Sequence, residues 1–191
     1  MHGGASAELR RRAAAVLGAV LLAGAGRAGA EALLAKDEAL ALAFPGATVT
    51  AKTVFLTPEQ SRAVKERTGR EPPSELFTYY TATKDGTTTG YGVIETHVVR
   101  TLPEAVLVVL SPAGAVERVL LLAFYEPPEY RPPDRWLEQF KSRQAGDGRD
   151  WRVGRDVHGL TGATLTAHAL TDALRRVTVL FDLVIRPRAP G

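Results

Sequence analysis

Two runs decide how this chain is built: Val106-Leu107-Val108-Val109-Leu110 and Val119-Leu120-Leu121-Leu122-Ala123-Phe124. Both are apolar at every position, the pattern of strands covered on both faces rather than one. Ser111-Pro112-Ala113-Gly114 lies between them and supplies the Pro and Gly of a tight turn. Residues 105–110 and 115–124 therefore read as an antiparallel pair. Upstream, residues 76–84 and 87–97 flank Asp85-Gly86, a two-residue hairpin signal. Consecutive strands joined by tight turns make a meander, and a sheet that is apolar on both sides needs helices to cover it. The expected fold is α+β: an antiparallel β-meander sheet packed by helices, with a long C-terminal helix.

The flanking segments supply those helices. Asp37-Glu38-Ala39-Leu40-Ala41-Leu42-Ala43-Phe44 reads as a short amphipathic helix stopped by Pro45-Gly46. Residues 47–56 look like a strand, with Val49, Val54 and Phe55 among smaller and polar residues. Thr57, Pro58 and Gln60 then form the signature of a capping box with proline at the first helical position. That helix should run to about Thr68 and stop at Gly69, with Arg62, Lys65, Glu66 and Arg67 on its solvated face. Past the meander, residues 125–133 hold four prolines, which stiffen a loop and forbid strand pairing. Asp134 is expected to cap a short helix over residues 135–141, with Trp136, Leu137 and Phe140 on one side. A loop over residues 144–160 with four glycines leads into Thr161-Gly162-Ala163-Thr164-Leu165-Thr166. The closing helix is expected from Ala167 to about Ile185. Its apolar stripe, Leu170, Ala173, Leu174, Val177, Leu180, Phe181 and Val184, has the spacing of one buried helix face.

A length of 191 residues with 45% hydrophobic content suits one packed core. The first thirty residues read differently from the rest. Arg10-Arg11-Arg12 precede an uncharged Ala/Val/Leu/Gly run over residues 13–26, and Ala28-Gly29-Ala30 ends it with small residues. This is the layout of a signal peptide over residues 1–30, leaving 31–191 as a single domain. Of the 24 Lys and Arg, four lie in that segment; of the 21 Asp and Glu, one does. The remainder therefore carries 20 of each, and its formal net charge is zero. A nucleic-acid partner loses its electrostatic support, because phosphate binding needs a net or clustered positive field. The expected location is periplasmic or extracytoplasmic, with membrane association left open. There is no cysteine, so disulfides, thiolate metal sites and cysteine nucleophiles are excluded together.

The stretch over residues 161–166 has two readings from its own chemistry. Its hydroxyls can cap a helix, or the helix start can receive an anion, because free N–H groups and the positive end of the dipole converge there. Other catalytic patterns are missing. The stretch lacks the G-x-S-x-G spacing of a nucleophile elbow, His97, His158 and His168 form no zinc-ligand spacing, and no P-loop or G-x-G-x-x-G occurs. No catalytic residue and no metal ligand is expected.

The segment Arg152-Val153-Gly154-Arg155-Asp156-Val157-His158-Gly159-Leu160-Thr161-Gly162-Ala163-Thr164-Leu165-Thr166 resembles the flavin-attachment signature of the FMN-binding domain family. That family includes the periplasmic flavin-carrying subunits of the Rnf and sodium-translocating NADH:quinone reductase complexes. Its signature is roughly Asp-x-x-Ser/Thr-Gly-Ala-Thr followed by a helix start. The loop Phe124-Tyr125-Glu126-Pro127-Pro128-Glu129-Tyr130 is similar to a Glu-Thr-Pro loop of the same family. The likeness covers roughly residues 75–185. It implies FMN as the cofactor, joined as a phosphoester to Thr164 by an FAD-dependent FMN transferase. Thr161, Gly162, Ala163, Leu165, Thr166, Glu126 and Tyr125 are the further implied cofactor-binding residues. Tyr125, Tyr130 and Trp136 are candidates for an aromatic wall beside the flavin ring. One position departs from the pattern: His158 stands where the family has its Asp, and Asp156 lies two residues earlier. FMN binding is therefore expected ahead of the covalent bond.

The function this implies is electron transfer between membrane and extracytoplasmic redox partners, with no substrate of the protein's own. The alternative is a cofactor-free exported binding domain in which residues 161–166 serve only as a helix cap.

Overall fold

A computed structural model describes residues 31–186. The segment over residues 1–30, expected to be a signal peptide, lies outside the described residues, as do Pro187 and Arg188.

The sheet has six strands in the order β1-β6-β5-β4-β3-β2. Strands β2 (Thr48–Phe55), β3 (Leu76–Lys84), β4 (Thr87–Val98), β5 (Pro103–Leu110) and β6 (Val116–Phe124) form the antiparallel meander. A two-residue strand β1 (Glu31–Ala32), which the sequence does not signal, adds to the far side of β6. Asp85 and Gly86 both take positive φ, 51° and 75°, as the twist-compatible two-residue hairpin requires.

The continuously apolar runs are covered on both faces. Val106, Val108 and Leu110 pack in one cluster with Leu170, Leu174 and Val177 of the C-terminal helix. Leu107 and Val109 point the other way, into a smaller cluster with Leu40 and Phe44 around helix α1 (Lys36–Ala43). Close approach of α1 depends on Gly90 and Gly92 of β4, where an added Cβ would lie 3.2 Å from the Phe44 ring.

Helix α2 (Pro58–Thr68) carries the anticipated capping box: the Gln60 N–H donates to Thr57 Oγ1 and the Thr57 N–H donates to Gln60 Oε1. Gly69 ends it at φ 81°. The short helix α3 (Asp134–Leu137) starts one residue earlier than expected, with Pro133 rather than Asp134 at the cap, and continues as a 3-10 turn through Phe140. Helix α4 (Thr164–Leu180) also starts early, at Thr164 rather than Ala167, directly after a turn in which Gly162 takes φ 79° and the Ala163 N–H donates to the Leu160 carbonyl at 3.0 Å. A π-type turn over Phe181–Ile185 finishes it. Helix α4 is held to α2 through Arg67–Asp182 at 2.7 Å and Gln60 Nε2 donating to the Leu183 carbonyl at 3.3 Å. It is held to the sheet by a buried ion pair between Arg176 and Glu95 of β4. These fixings aim the start of α4 at the β4–β5 turn and at the proline-rich loop after β6.

Candidate functional site

Three pieces of chain meet at that helix start. Residues 162–166, the β4–β5 turn through Val99 and Arg100, and Glu126 with Tyr130 line a cleft of about 280 Å³. Six of the eight expected cofactor-binding residues are brought together there: Gly162, Ala163, Thr164, Leu165, Thr166 and Glu126. Thr161 and Tyr125 do not line it. Thr161 borders a neighbouring cleft beside Trp136, Gln139 and His158. Tyr125 is half-buried, and its N–H donates to the Pro103 carbonyl at 3.1 Å.

The helix start itself is not capped by a side chain. Ala163 is the N-cap residue, at φ −128° and ψ 45°, and has no side-chain oxygen to offer the first turn. The first turn also holds no acidic residue. Thr164, at the first helical position, is exposed, and Leu165 is 53% exposed. Thr166 differs from both. It is buried, and its hydroxyl donates to the Tyr130 carbonyl at 2.9 Å, which ties α4 to the 3-10 turn Pro128–Tyr130. Thr164 is thus the hydroxyl that faces solvent at an uncapped helix start, where backbone N–H groups and the dipole favour an anion.

Glu126 is a structural brace for the facing turn. It is buried, and its Oε1 accepts N–H bonds from Arg100, Thr101 and Leu102 at 3.1, 2.7 and 2.8 Å. The Thr101 N–H contributes most to holding its carboxyl below the ordinary carboxylate range, working against burial; the Leu102 and Arg100 N–H groups and the Arg100 charge add to it. By pinning this turn, Glu126 fixes the backbone of Arg100, an exposed residue that lines the cleft. Arg100 is the site residue that sequence reasoning did not single out; it becomes visible only when Glu126 and the turn are seen in contact.

A depressed carboxylate pKa stabilises the fold above the unfolded-state value and loses that contribution as pH falls through the folded one. Glu126→Gln is therefore expected to lower stability by about 1 kcal/mol at neutral pH, where it replaces charge-assisted bonds with neutral ones. It should also flatten the loss of stability below the ordinary value of 4.5. Denaturant titrations at neutral and acidic pH check both; a variant with an unchanged acid limb contradicts this role.

The loop that delivers the motif is fixed by aromatic packing. Arg143 is buried, with its guanidinium 5.9 Å from the Phe140 ring centre and 5.5 Å from that of Trp151. Desolvation pulls its pKa below the ordinary arginine value. It donates to the carbonyls of Gln139 and Asp156. Trp136, a candidate for a flavin wall, is instead buried edge-on against Phe140, and its indole N–H donates to the His158 carbonyl at 2.9 Å. Tyr130 does line the cleft. The His158 side chain is exposed, while Asp156 accepts the Asp150 N–H and so closes the loop upon itself. His97 lies beneath the sheet's covering layer, with Nε2 at 3.1 Å from Glu104 of β5, and does not line the cleft.

Among the described residues no helix is long and apolar enough to cross a membrane, and no cluster of three or more potential metal-ligating side chains occurs. Compared with protein-family models, curated proteins and solved structures, the chain matches none.

Proposed function

We propose that this protein is an exported FMN-binding electron-transfer protein, with the flavin phosphate at the start of α4 and a phosphoester to Thr164. The observation that carries the reading is the solvent-facing Thr164 hydroxyl at a helix start that no side chain caps, across a cleft from Arg100. Anion binding there draws on the first-turn N–H groups, the α4 dipole and the Arg100 guanidinium. Gly162, with no side chain, leaves open space beside the phosphate position. A cleft of about 280 Å³ encloses the phosphate end of such a ligand rather than all of it. The ring then lies toward the mouth, where Leu165 is exposed and the turn bearing Arg100 presents Val98 and Leu102 to solvent. Such an apolar rim suits a flat aromatic ring and leaves its edge open to a redox partner.

Bound FMN supplies the one- and two-electron chemistry; the chain supplies position, phosphate neutralisation and an apolar rim. Maturation by an FAD-dependent FMN transferase forms the bond from Thr164 Oγ to phosphorus and breaks the phosphoanhydride of FAD. AMP leaves, and the hydroxyl proton is lost to base. The partners are that transferase and a membrane or periplasmic redox protein. The alternative, a cofactor-free exported binding domain with residues 161–166 as a plain cap, has less support, because none of these threonines caps α4.

The test is an absorption spectrum of the protein purified after co-expression with such a transferase, followed by titration of the flavin-free protein with FMN. Flavin bands, or saturable FMN binding that Arg100→Glu weakens at least about tenfold, support the proposal. A colourless protein that does not bind FMN refutes it.

A further inference from the structure

Strand β2 is an edge of the sheet, and among the described residues nothing pairs with its outer side. It runs for eight residues with no proline, and Lys52 is its one charge. Native edges of this length are normally shortened, charged or covered, since their free N–H and C=O groups invite another strand. Phe55 ends the strand 75% exposed, and Leu76, directly opposite it on β3, is 37% exposed.

Strand alternation places Phe55 on the same face as Val49 and Ala51. Their cross-strand partners, Ala82 and Tyr80, pack with Leu40 and Phe44 of α1, so this is the α1 side of the sheet. On that side, along the same edge, lies an open groove of about 400 Å³ with an apolar floor that includes Leu40, Phe44, Val49 and Ala51, and with Lys36 and Asp37 also lining it. One chain thus carries an exposed aromatic side chain at one end of its free edge and an apolar groove at the other.

We propose that a second copy of this chain pairs with β2 antiparallel about a twofold axis at Ala51, joining two six-stranded sheets and placing each Phe55 in the other copy's groove. The register follows from geometry. Directly opposed residues of an antiparallel pair share a face, so a twofold axis normal to the sheet passes through a residue and not between two. Centring on Lys52 sets two like charges directly opposite, which is destabilising. Centring on Ala51 overlaps the strand to the same extent without that clash. It sets Lys52 opposite Thr50 and Val49 opposite Thr53. Phe55 then falls opposite Ala47, a wall of the groove. Both copies make the same insertion, as an isologous contact demands.

Sedimentation equilibrium of the intact protein at micromolar concentration should return twice the chain mass measured in denaturant. Phe55→Asp should weaken the dimer by at least about a hundredfold, with an unchanged circular dichroism spectrum because Phe55 is exposed. The chain has no cysteine, so single-cysteine variants report the register directly. Ala51→Cys should cross-link to itself on mild oxidation, and Thr53→Cys should not, because Thr53 faces Val49. A monomer at these concentrations overturns the proposal and leaves the edge to another partner. A dimer indifferent to Phe55→Asp, or one cross-linked by Thr53→Cys and not by Ala51→Cys, overturns it as well.

Discussion

Arg176→Met is expected to destabilise the fold by about 3–5 kcal/mol, the usual cost of leaving a buried charge without its partner. Arg176 and Glu95 are both buried, and the guanidinium Nε and a terminal nitrogen both donate to Glu95 Oε1. Methionine fills much of the arginine stem's volume, so packing loss is small and the change isolates the charge. Glu95 would then face an apolar layer of Val93, Val106 and α4 with no cation beside it. The double variant Glu95→Leu/Arg176→Met removes both charges and should recover most of the loss, since a buried pair contributes little net stability over apolar replacements. Denaturant unfolding of the two single variants and the double closes the cycle. A loss below about 1 kcal/mol for Arg176→Met would place the pair in effective contact with water and contradict the packing of α4 described above.

Gly114→Val is expected to cost about 3 kcal/mol or more, from two sources that act together. Gly114 closes the β5–β6 turn at φ 88°, a conformation that β-branched residues strongly resist. A Cβ there would lie 2.3 Å from ring atoms of Phe181, which is fully buried and packed edge-on against Tyr91 at 5.4 Å. Phe181 cannot swing away, since it sits in the π-type turn that ends α4. Thermal unfolding checks this. Gly114→Ala brings the same clash and most of the φ strain without the branched side chain, so it should cost less than Gly114→Val but still destabilise. Equal stability of Gly114→Val and the native chain would mean that the turn and the end of α4 are not in contact.

Most of the architecture is legible in the sequence because its signals are local. Asp85-Gly86 dictates its hairpin, Thr57, Pro58 and Gln60 dictate the start of α2, and unbroken apolar runs indicate strands covered on both faces. The site is legible only along the chain. Residues 162–166 are contiguous and form one wall of the cleft, whereas the opposite wall depends on contacts between residues far apart in sequence. Glu126 lines the cleft, and one of its oxygens is held by three N–H groups of the β4–β5 turn, which also carries Arg100. Trp136 was a candidate flavin wall, yet its ring is spent on Phe140 and its N–H on the loop. Neither contact leaves a trace in local composition. The helix boundary shows the same limit: reading residues 161–166 as the approach to the helix puts its start at Ala167, whereas the helix begins at Thr164, two residues past the positive-φ Gly162. That shift matters chemically, since it puts Thr164 in the first helical turn rather than in the loop before it.

Mapping the flavin by tandem mass spectrometry, on protein co-expressed with an FAD-dependent FMN transferase, tests the central claim most directly. The tryptic peptide over residues 156–175 should carry the mass of FMN less water, with fragments placing it on Thr164, and Thr164→Val should abolish it. An unmodified peptide from a flavin-free protein, or an adduct that persists in Thr164→Val, would contradict the account.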